Sequence, residues 1–229
     1  MPSNNRDRPS NNRGFVPVPG DERLTTAILS DSCDAAGLRW QVIACRLSPI
    51  APGMRATGRA RTIRFAPSLA DDLDDPYRDT IDFIDSLAAG QLVVIATDAS
   101  NDSAFWGELF SAAALGAGVV GVIADSNLRD TDRIASLGFP AFSASRRPID
   151  YRARMRVLEV DVPVTIGGVR IDPEAIVMAD DDGVVVVPAD HEDRILELAR
   201  ERAARESTVL EELLAGASLR EVWDRHKVL

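Results

Sequence analysis

Apolar positions along the chain fall into short unbroken runs that alternate with helical spacing. Leu92–Thr97 and Val119–Ala124 are continuous enough to be buried strands, and the alanine-rich stretch Gly107–Leu115 between them predicts a helix. A short helix near Thr131–Leu137 and an extended segment at Pro140–Phe142 follow. Upstream, Leu24–Ala36 suits a helix, with Thr25 or Thr26 near its start and Gly37 at its stop. Val42–Phe65 reads as strands broken by turns at Pro49, Pro52-Gly53 and Gly58. The acidic run Asp71–Asp85 carries Ile81 and Ile84 at a spacing that suggests a helical turn before Gly90. Val162–Ile166, Arg170–Ile171 and Ile176–Pro188 predict further strands, with turns at Gly167-Gly168 and Asp182-Gly183. His191–Ala215 is a long helix with Ile195, Leu198, Val209, Leu213 and Leu214 among its apolar positions. Gly216 stops it, and Leu219–Trp223 forms a last turn. Strands alternating with helices indicate a layered α/β fold with a substantially parallel sheet.

Length and composition set limits on this picture. A chain of 229 residues suits one large domain with extensions. The boundaries expected are a tail over residues 1–20, an α/β domain over 21–190 and a C-terminal helical extension over 191–229. The tail repeats Pro-Ser-Asn-Asn-Arg at Pro2–Arg6 and Pro9–Arg13, and holds too few apolar groups to offset its ordering entropy. A net charge of −10 argues against nucleic-acid binding, which needs a basic footprint. No apolar stretch approaches the roughly 20 residues of a membrane span, and the first residues lack a secretory signal, so a cytoplasmic location is expected. Cys33 and Cys45 stand alone, without the spacing of a thiolate metal site.

Two counts narrow the chemistry further. Lys227 is the only lysine, so imine-forming catalysis has almost nothing to work with. His191 and His226 are the only histidines, and no GxSxG or GxxxxGK[ST] occurs. Catalysis in this chain is expected to run on carboxylates, arginines and backbone amides.

Two motifs are misleading. Gly116, Gly118 and Gly121 spell GxGxxG, but a helix enters this run and a strand leaves it, the reverse of a dinucleotide fold. Asp180-Asp181-Asp182-Gly183 suggests a calcium loop, yet the ligand positions fall on Met178 and Ala189. An acidic turn between two strands is the better reading.

The more informative positions sit at two junctions. Trp106-Gly107-Glu108-Leu109-Phe110 opens a helix, where free N–H groups and a glycine make a carboxylate or phosphate site. Asp125-Ser126-Asn127-Leu128-Arg129-Asp130 follows the strand ending at Ala124. If the strands are parallel neighbours, Glu108, Arg129, Asp130 and the helix amides converge on one pocket at the strands' carboxyl ends. Such a set holds a carboxylate through the arginine and a hard divalent cation through oxygen. The same residues also admit a purely structural role. A glutamate in a first helical turn complements the dipole, and Arg-Asp recurs at Arg6-Asp7 and Arg78-Asp79.

Trp106–Phe110, Gly118–Ala124, Asp125–Asp130, Gly138-Phe139-Pro140 and Ala179–Pro188 together resemble the family of the regulator of ribonuclease activity A. That family includes the metal-dependent 4-hydroxy-4-methyl-2-oxoglutarate/4-carboxy-4-hydroxy-2-oxoadipate aldolases. The resemblance runs from about Leu24 to Trp223. Its most specific element is an acidic residue, here Glu108, then twenty residues, then Arg129-Asp130. Ser30-Asp31, Asp34 and Gly58–Thr62 match weaker stretches. Asp125-Ser126 stands where the family usually has Asp-Gly, and Pro173-Glu174-Ala175 where it has Pro-Gly-Asp.

The resemblance implies a layered α/β/β/α sandwich with a swivelling-domain-like core and a C-terminal helical extension, assembled as a homotrimer or hexamer. It implies Mg²⁺ or Mn²⁺ bound by Asp130, with Glu108 acting through metal-bound water. Arg129 and the amides of Gly107, Glu108, Leu109 and Phe110 would grip a pyruvyl group. A glutamate from a neighbouring subunit's C-terminal helix would complete the site, with Glu206 the best fit and Glu201 the fallback. The implied activity is a class II retro-aldol cleavage of a 4-hydroxy-2-oxo acid to pyruvate and a second oxo acid. Oxaloacetate decarboxylation would pass through the same enolate. Arg61, Arg146 and Arg147 are possible partners for a distal carboxylate. The rival reading is a non-enzymatic regulator that binds an endoribonuclease. A methyltransferase role has no support, since no nucleotide-binding glycine loop is present.

Overall fold

The computed structural model describes residues 23–68, 75–100 and 102–228. The expected tail over residues 1–20 lies outside the described residues. Helix α1 (Thr26–Ala35) begins at Thr25, whose hydroxyl accepts from the Ile28 amide, and is followed by β1 (Ser48–Pro49) and β2 (Ala56–Pro67). Next come α2 (Arg78–Asp85), β3 (Gln91–Ala96), β4 (Ala104–Trp106) and α3 (Glu108–Gly116). The chain continues through β5 (Gly121–Leu128), α4 (Thr131–Ser136), β6 (Ala141–Arg146) and β7 (Met155–Val160). Two hairpins, β8 (Val164–Ile166) with β9 (Val169–Ile171) and β10 (Ile176–Ala179) with β11 (Val184–Val187), lead to α5 (Glu192–Leu214) and α6 (Leu219–His226).

Nine strands of the described residues form one sheet in the order β1-β6-β5-β3-β2-β10-β11, with β4 beside β5 and β7 beside β2. The β6-β5-β3-β2 stretch is parallel, as is the β4–β5 pair, while β1, β7, β10 and β11 run antiparallel to their neighbours. Strands covered on both faces read as unbroken apolar runs, which is why Leu92–Ala96 shows no alternation. Their two faces still separate. Ile63, Phe65, Val93, Ile95, Val122 and Ala124 pack with Phe83 and Ile84 of α2, Ala114 of α3 and Ile134 of α4. Leu92, Val94 and Ile123 point the other way, against Val164 and Ile171 of the small hairpin and Val177, Val184 and Val186. The far face of β10–β11 carries Ile176, Met178, Val185 and Val187 against α1 and the first half of α5. The sheet thus curls onto itself with helices outside, giving the helix–sheet–sheet–helix layering. Ile195, Leu196, Ala199 and Ala203 tie the C-terminal helix into that third layer.

Several expectations are corrected. Gly58 is not a turn but lies inside β2, where a Cβ would sit 2.6 Å from Val120 Cγ2 and 2.7 Å from the Gly90 carbonyl. The strand expected to end at Ala124 runs on to Leu128, so Asp125–Leu128 is buried strand rather than loop. A register shift between Ala124 and Asn127 accommodates its polar residues. The Asp125 carboxylate accepts from the Thr97 amide and hydroxyl and from the Ala99 amide, tying β5 to the end of β3. Ser126, at the usual glycine, lies inside β5, fully buried, and its hydroxyl meets no hydrogen-bond partner among the described residues. β4 and β7 carry no sequence expectation, β4 because it is only three residues long and β7 because Arg156 and Glu159 interrupt its apolar positions. The GxGxxG run is a helix end leading into a strand, with Gly118 at φ 80°. No helix of the described residues is long and apolar enough to cross a membrane.

Candidate functional site

The carboxyl ends of β4 and β5 lie side by side, and each delivers a turn into a helix. The Arg129 amide donates to the Trp106 carbonyl at 3.0 Å, locking the two turns together. Gly107 then caps α3 with an extended backbone, leaving the first-turn amides of Glu108, Leu109 and Phe110 without intrahelical acceptors. Trp106 Nε1 donates to Ser111 Oγ, which itself donates to the Gly107 carbonyl, so the opening of α3 is fixed from inside.

Asp130 turns the chain from β5 into α4 with φ 55°, ψ 33°, a left-handed conformation that aspartate tolerates better than most residues. Although it occupies the N-cap, its carboxylate makes no capping hydrogen bond to α4. It faces Gly107 instead. Asp130 Oδ2 lies 3.5 Å from the Glu108 amide and 3.7 Å from Arg129 Nε. A Cβ on residue 107 would stand 2.8 Å from that oxygen and 3.2 Å from Arg129 Cγ, so glycine alone lets the two junctions approach this closely.

Arg129 has a second anchor that sequence reasoning missed. Its Nη1 lies 2.9 Å from Asp150 Oδ2, and Tyr77 Oη donates to the same oxygen at 2.6 Å. Asp150 arrives there by bridging to Ala104, a tertiary pairing with no local sequence signal. Burial tends to raise the Asp150 carboxyl. The Tyr77 hydroxyl, the Arg152 amide and the Arg129 and Arg152 guanidinium groups outweigh it, holding the group below its ordinary value. The Tyr77 phenol is raised by burial and by that same carboxylate.

These groups line a cavity of about 300 Å³ that includes Gly107, Glu108, Leu109, Phe110, Arg129, Asp130 and Asp150. Glu108, Arg129, Asp130 and the α3 amides are therefore brought together as the two-junction reading expects.

Residues 26–186 match the RraA-like family, described as aldolase/RraA. The chain belongs to that family. A protein of *Halalkalibacterium halodurans* provisionally named a 4-hydroxy-4-methyl-2-oxoglutarate aldolase is 26% identical over 84% of this chain and 88% of its own length. DlpA of *Legionella pneumophila* is 28% identical over 72% of this chain, which spans only 26% of DlpA. Among solved structures, *Streptomyces coelicolor* RraAS2 superposes with a TM-score of 0.70 at 25% identity, covering 85% of this chain and 93% of its own. That protein is described as an unusual member of the RNase ES inhibitor RraA family.

The remaining candidates of this RraA-like chain lie elsewhere. Glu206 is on α5, where Arg202 Nε donates to its carboxylate at 2.7 Å while Arg202 Nη2 contacts Asp31 at 2.6 Å. Glu201 is exposed on the same helix. Arg61 pairs with Asp161 and Ser86, and Arg146 donates to the Ile50 carbonyl. Arg147 is exposed, and neither it nor Arg61 or Arg146 lines the cavity. Lys227 contacts Asp224, and His226 contacts Glu212, both outside the cavity.

Proposed function

We propose that this cavity cleaves a 4-hydroxy-2-oxo acid into pyruvate and a second oxo compound, in a reaction dependent on Mg²⁺ or Mn²⁺. The observation that carries the reading is Asp130: a left-handed N-cap residue whose carboxylate is withheld from its own helix and aimed at the α3 amides beside Arg129.

The donor set fits a hard cation. Asp130 and Glu108 offer carboxylate oxygens, and no thiol or imidazole of the described residues lines the cavity. No group of three His, Cys, Asp or Glu side chains among the described residues forms a cage. Asp130 would therefore hold an ion that keeps much of its coordination for water and substrate, the habit of Mg²⁺. When bound, such an ion supplies Lewis-acid stabilisation of the charge that develops on the 2-oxo oxygen.

The chain's own groups do the rest. Arg129 and the first-turn amides of α3 hold the substrate carboxylate. The C3–C4 bond breaks with its electron pair moving to C3, while the 4-hydroxyl proton leaves to a base and C3 later takes a proton. Glu108, half-buried at the cavity wall, is the residue placed to exchange these protons. Oxaloacetate decarboxylation follows the same electron path as a side activity. Assembly as a trimer or hexamer would let Glu206 reach a neighbouring site, and full activity in Glu206→Ala would remove it from the set. Regulation of an endoribonuclease by protein contact is the second reading, favoured by the family description of the *S. coelicolor* neighbour.

Pyruvate release from 4-hydroxy-4-methyl-2-oxoglutarate and oxaloacetate, with Mg²⁺ or Mn²⁺ and with excess EDTA, tests the reading. Release only with the metal is expected. Undiminished release in EDTA, or a substrate adduct trapped by borohydride, would overturn it.

A further inference from the structure

We infer that Arg152, at the rim of the cavity, takes the distal carboxylate of a 2-oxo diacid, while Arg129 and the α3 amides hold the carboxylate beside the keto group. This rests on the aldol reading of the same cavity and assigns it a specificity-determining residue.

Position is the first argument. Asp150 and Tyr151 line the cavity, and Arg152 is the next residue along the chain. Its amide donates to Asp150 Oδ1 at 2.9 Å, while Asp150 Oδ2 meets Arg129 Nη1 and the Tyr77 hydroxyl. One carboxylate thus stands between the two arginines. The turn that carries Arg152 is braced. The Arg154 and Met155 amides both donate to the Tyr151 carbonyl, and Arg154 Nη1 donates to the carbonyls of Asp150 and Arg152 at 3.2 and 3.4 Å. Tyr151 is buried, with its hydroxyl 2.8 Å from that of Thr80 and its ring stacked on Phe105 at 5.9 Å. Arg152 is therefore a long exposed arm on a fixed base.

Charge is the second argument. Among the described residues, the ionisable lining is Glu108, Asp130 and Asp150 against Arg129, apart from the Tyr77 and Tyr151 phenols. A divalent cation and Arg129 together balance those carboxylates, and a diacid then brings two further negative charges. Its distal end needs a cation from beyond the lining, since an unpaired charge in a partly enclosed site is strongly disfavoured. Arg152 is the arginine whose charge reaches there. Burial raises the Tyr77 phenol and the Asp150 carboxyl, and the Arg152 guanidinium opposes that rise in both. Among the described residues, this guanidinium has no hydrogen-bond or ion-pair acceptor of its own. Arg61 is held by Asp161, Arg146 by the Ile50 carbonyl and Arg154 by its own turn. Arg147 is exposed outside the cavity. The planar fork of Arg152 suits a carboxylate.

Calorimetric titration of the full chain in Mg²⁺ with two unreactive analogues tests this. Both 2-oxoglutarate and 2-oxopentanoate carry the same 2-oxo acid head on a chain of equal length, and differ in ending with a carboxylate or a methyl group. The unaltered protein is expected to bind 2-oxoglutarate at least about tenfold more tightly, the scale of one hydrogen-bonded contact between charged groups. Arg152→Ala should bring the two affinities within about twofold of each other. Arg152→Lys keeps the charge without the fork and should restore part of the gap. A gap that survives Arg152→Ala, or a lysine variant no better than alanine, overturns the inference and leaves the aldol reading standing. Equal binding of the two analogues by the unaltered protein does the same. Failure of both analogues to bind would overturn the inference and the aldol reading together.

Discussion

Two aspartates at strand ends show how differently one residue type can be used. Asp180 closes β10 at the turn into β11 and is 8% exposed. Its carboxylate accepts from the Thr26 amide at 2.9 Å, the Thr26 hydroxyl at 2.6 Å and the Asp182 amide at 3.0 Å. Asp130 follows β5, its side chain 46% exposed, and its nearest donors stand at 3.5 and 3.7 Å. Asp180 is spent on holding α1 to the sheet. Asp130 sits in a left-handed conformation and gains no cap in return, so its carboxylate remains available to a ligand. The closely bonded carboxylate is architectural, and the loosely held one, beside an arginine and the first-turn amides of α3, is the one the proposed chemistry uses.

The widest separation should come from the paired substitutions Asp130→Asn and Asp180→Asn. Asp130→Asn should lower turnover roughly 100-fold or more, the scale of losing a preorganised electrostatic contact, with thermal stability nearly unchanged. Asp180→Asn should leave turnover per folded molecule intact. Losing hydrogen bonds to a charged group costs ~1.5–3 kcal/mol, which for a chain of this size lowers Tm by about 3–12 °C. Thermal melts beside pyruvate-release rates check both, and a stability loss without an activity loss at Asp130 would break the contrast.

The sequence carried one side of this comparison better than the other. Asp180–Gly183 was legible as a turn because unbroken apolar runs flank it, and Gly107 with Arg129-Asp130 was legible from junction chemistry and family spacing. The elements between the clear strands were not. Asp125–Leu128 looks like loop because it is polar, yet it is strand, its Asp125 satisfied by Thr97 and Ala99 across β3. Gly58 looks like a turn because nothing local reveals that Val120 and Gly90 press against it. Asp150 and Tyr77 have no pattern at all. Asp150 meets Arg129 directly, and Tyr77 meets Asp150 across 73 residues, a distance at which propensity and periodicity are silent.

Arg129→Lys is the next test, with a smaller expected effect. Lysine keeps the charge but loses the planar fork, so its donors, all on one nitrogen, cannot grip a substrate carboxylate in the bidentate way while still meeting Asp150. The ratio kcat/KM should fall by more than about tenfold while the protein remains folded. Retention of wild-type kinetics would mean that the Arg129–Asp130 junction is as architectural as Asp180, and the contrast would collapse.

Asp150 lies between the two extremes, and the smallest effect is expected there. Tyr77 and the Arg152 amide satisfy it, as donors satisfy Asp180, yet it faces the same cavity as Asp130. If its role is to hold Arg129 in position, Asp150→Asn should raise KM by roughly two- to tenfold, the range for one half-exposed hydrogen bond, and change kcat less. A purely structural role would shift stability and leave KM alone. The pH dependence separates the two further. Because the folded-state value lies below the unfolded one, the ionised carboxylate contributes stability at every pH above the ordinary aspartate range, and loses it only as pH falls through the depressed value. The asparagine variant has no such titration. Denaturation midpoints of wild type and variant should therefore keep a constant separation from about pH 8 to pH 5 and converge below about pH 4. A separation that instead closes near neutrality would show that Asp150 is not held as the anion that Arg129 and Tyr77 require.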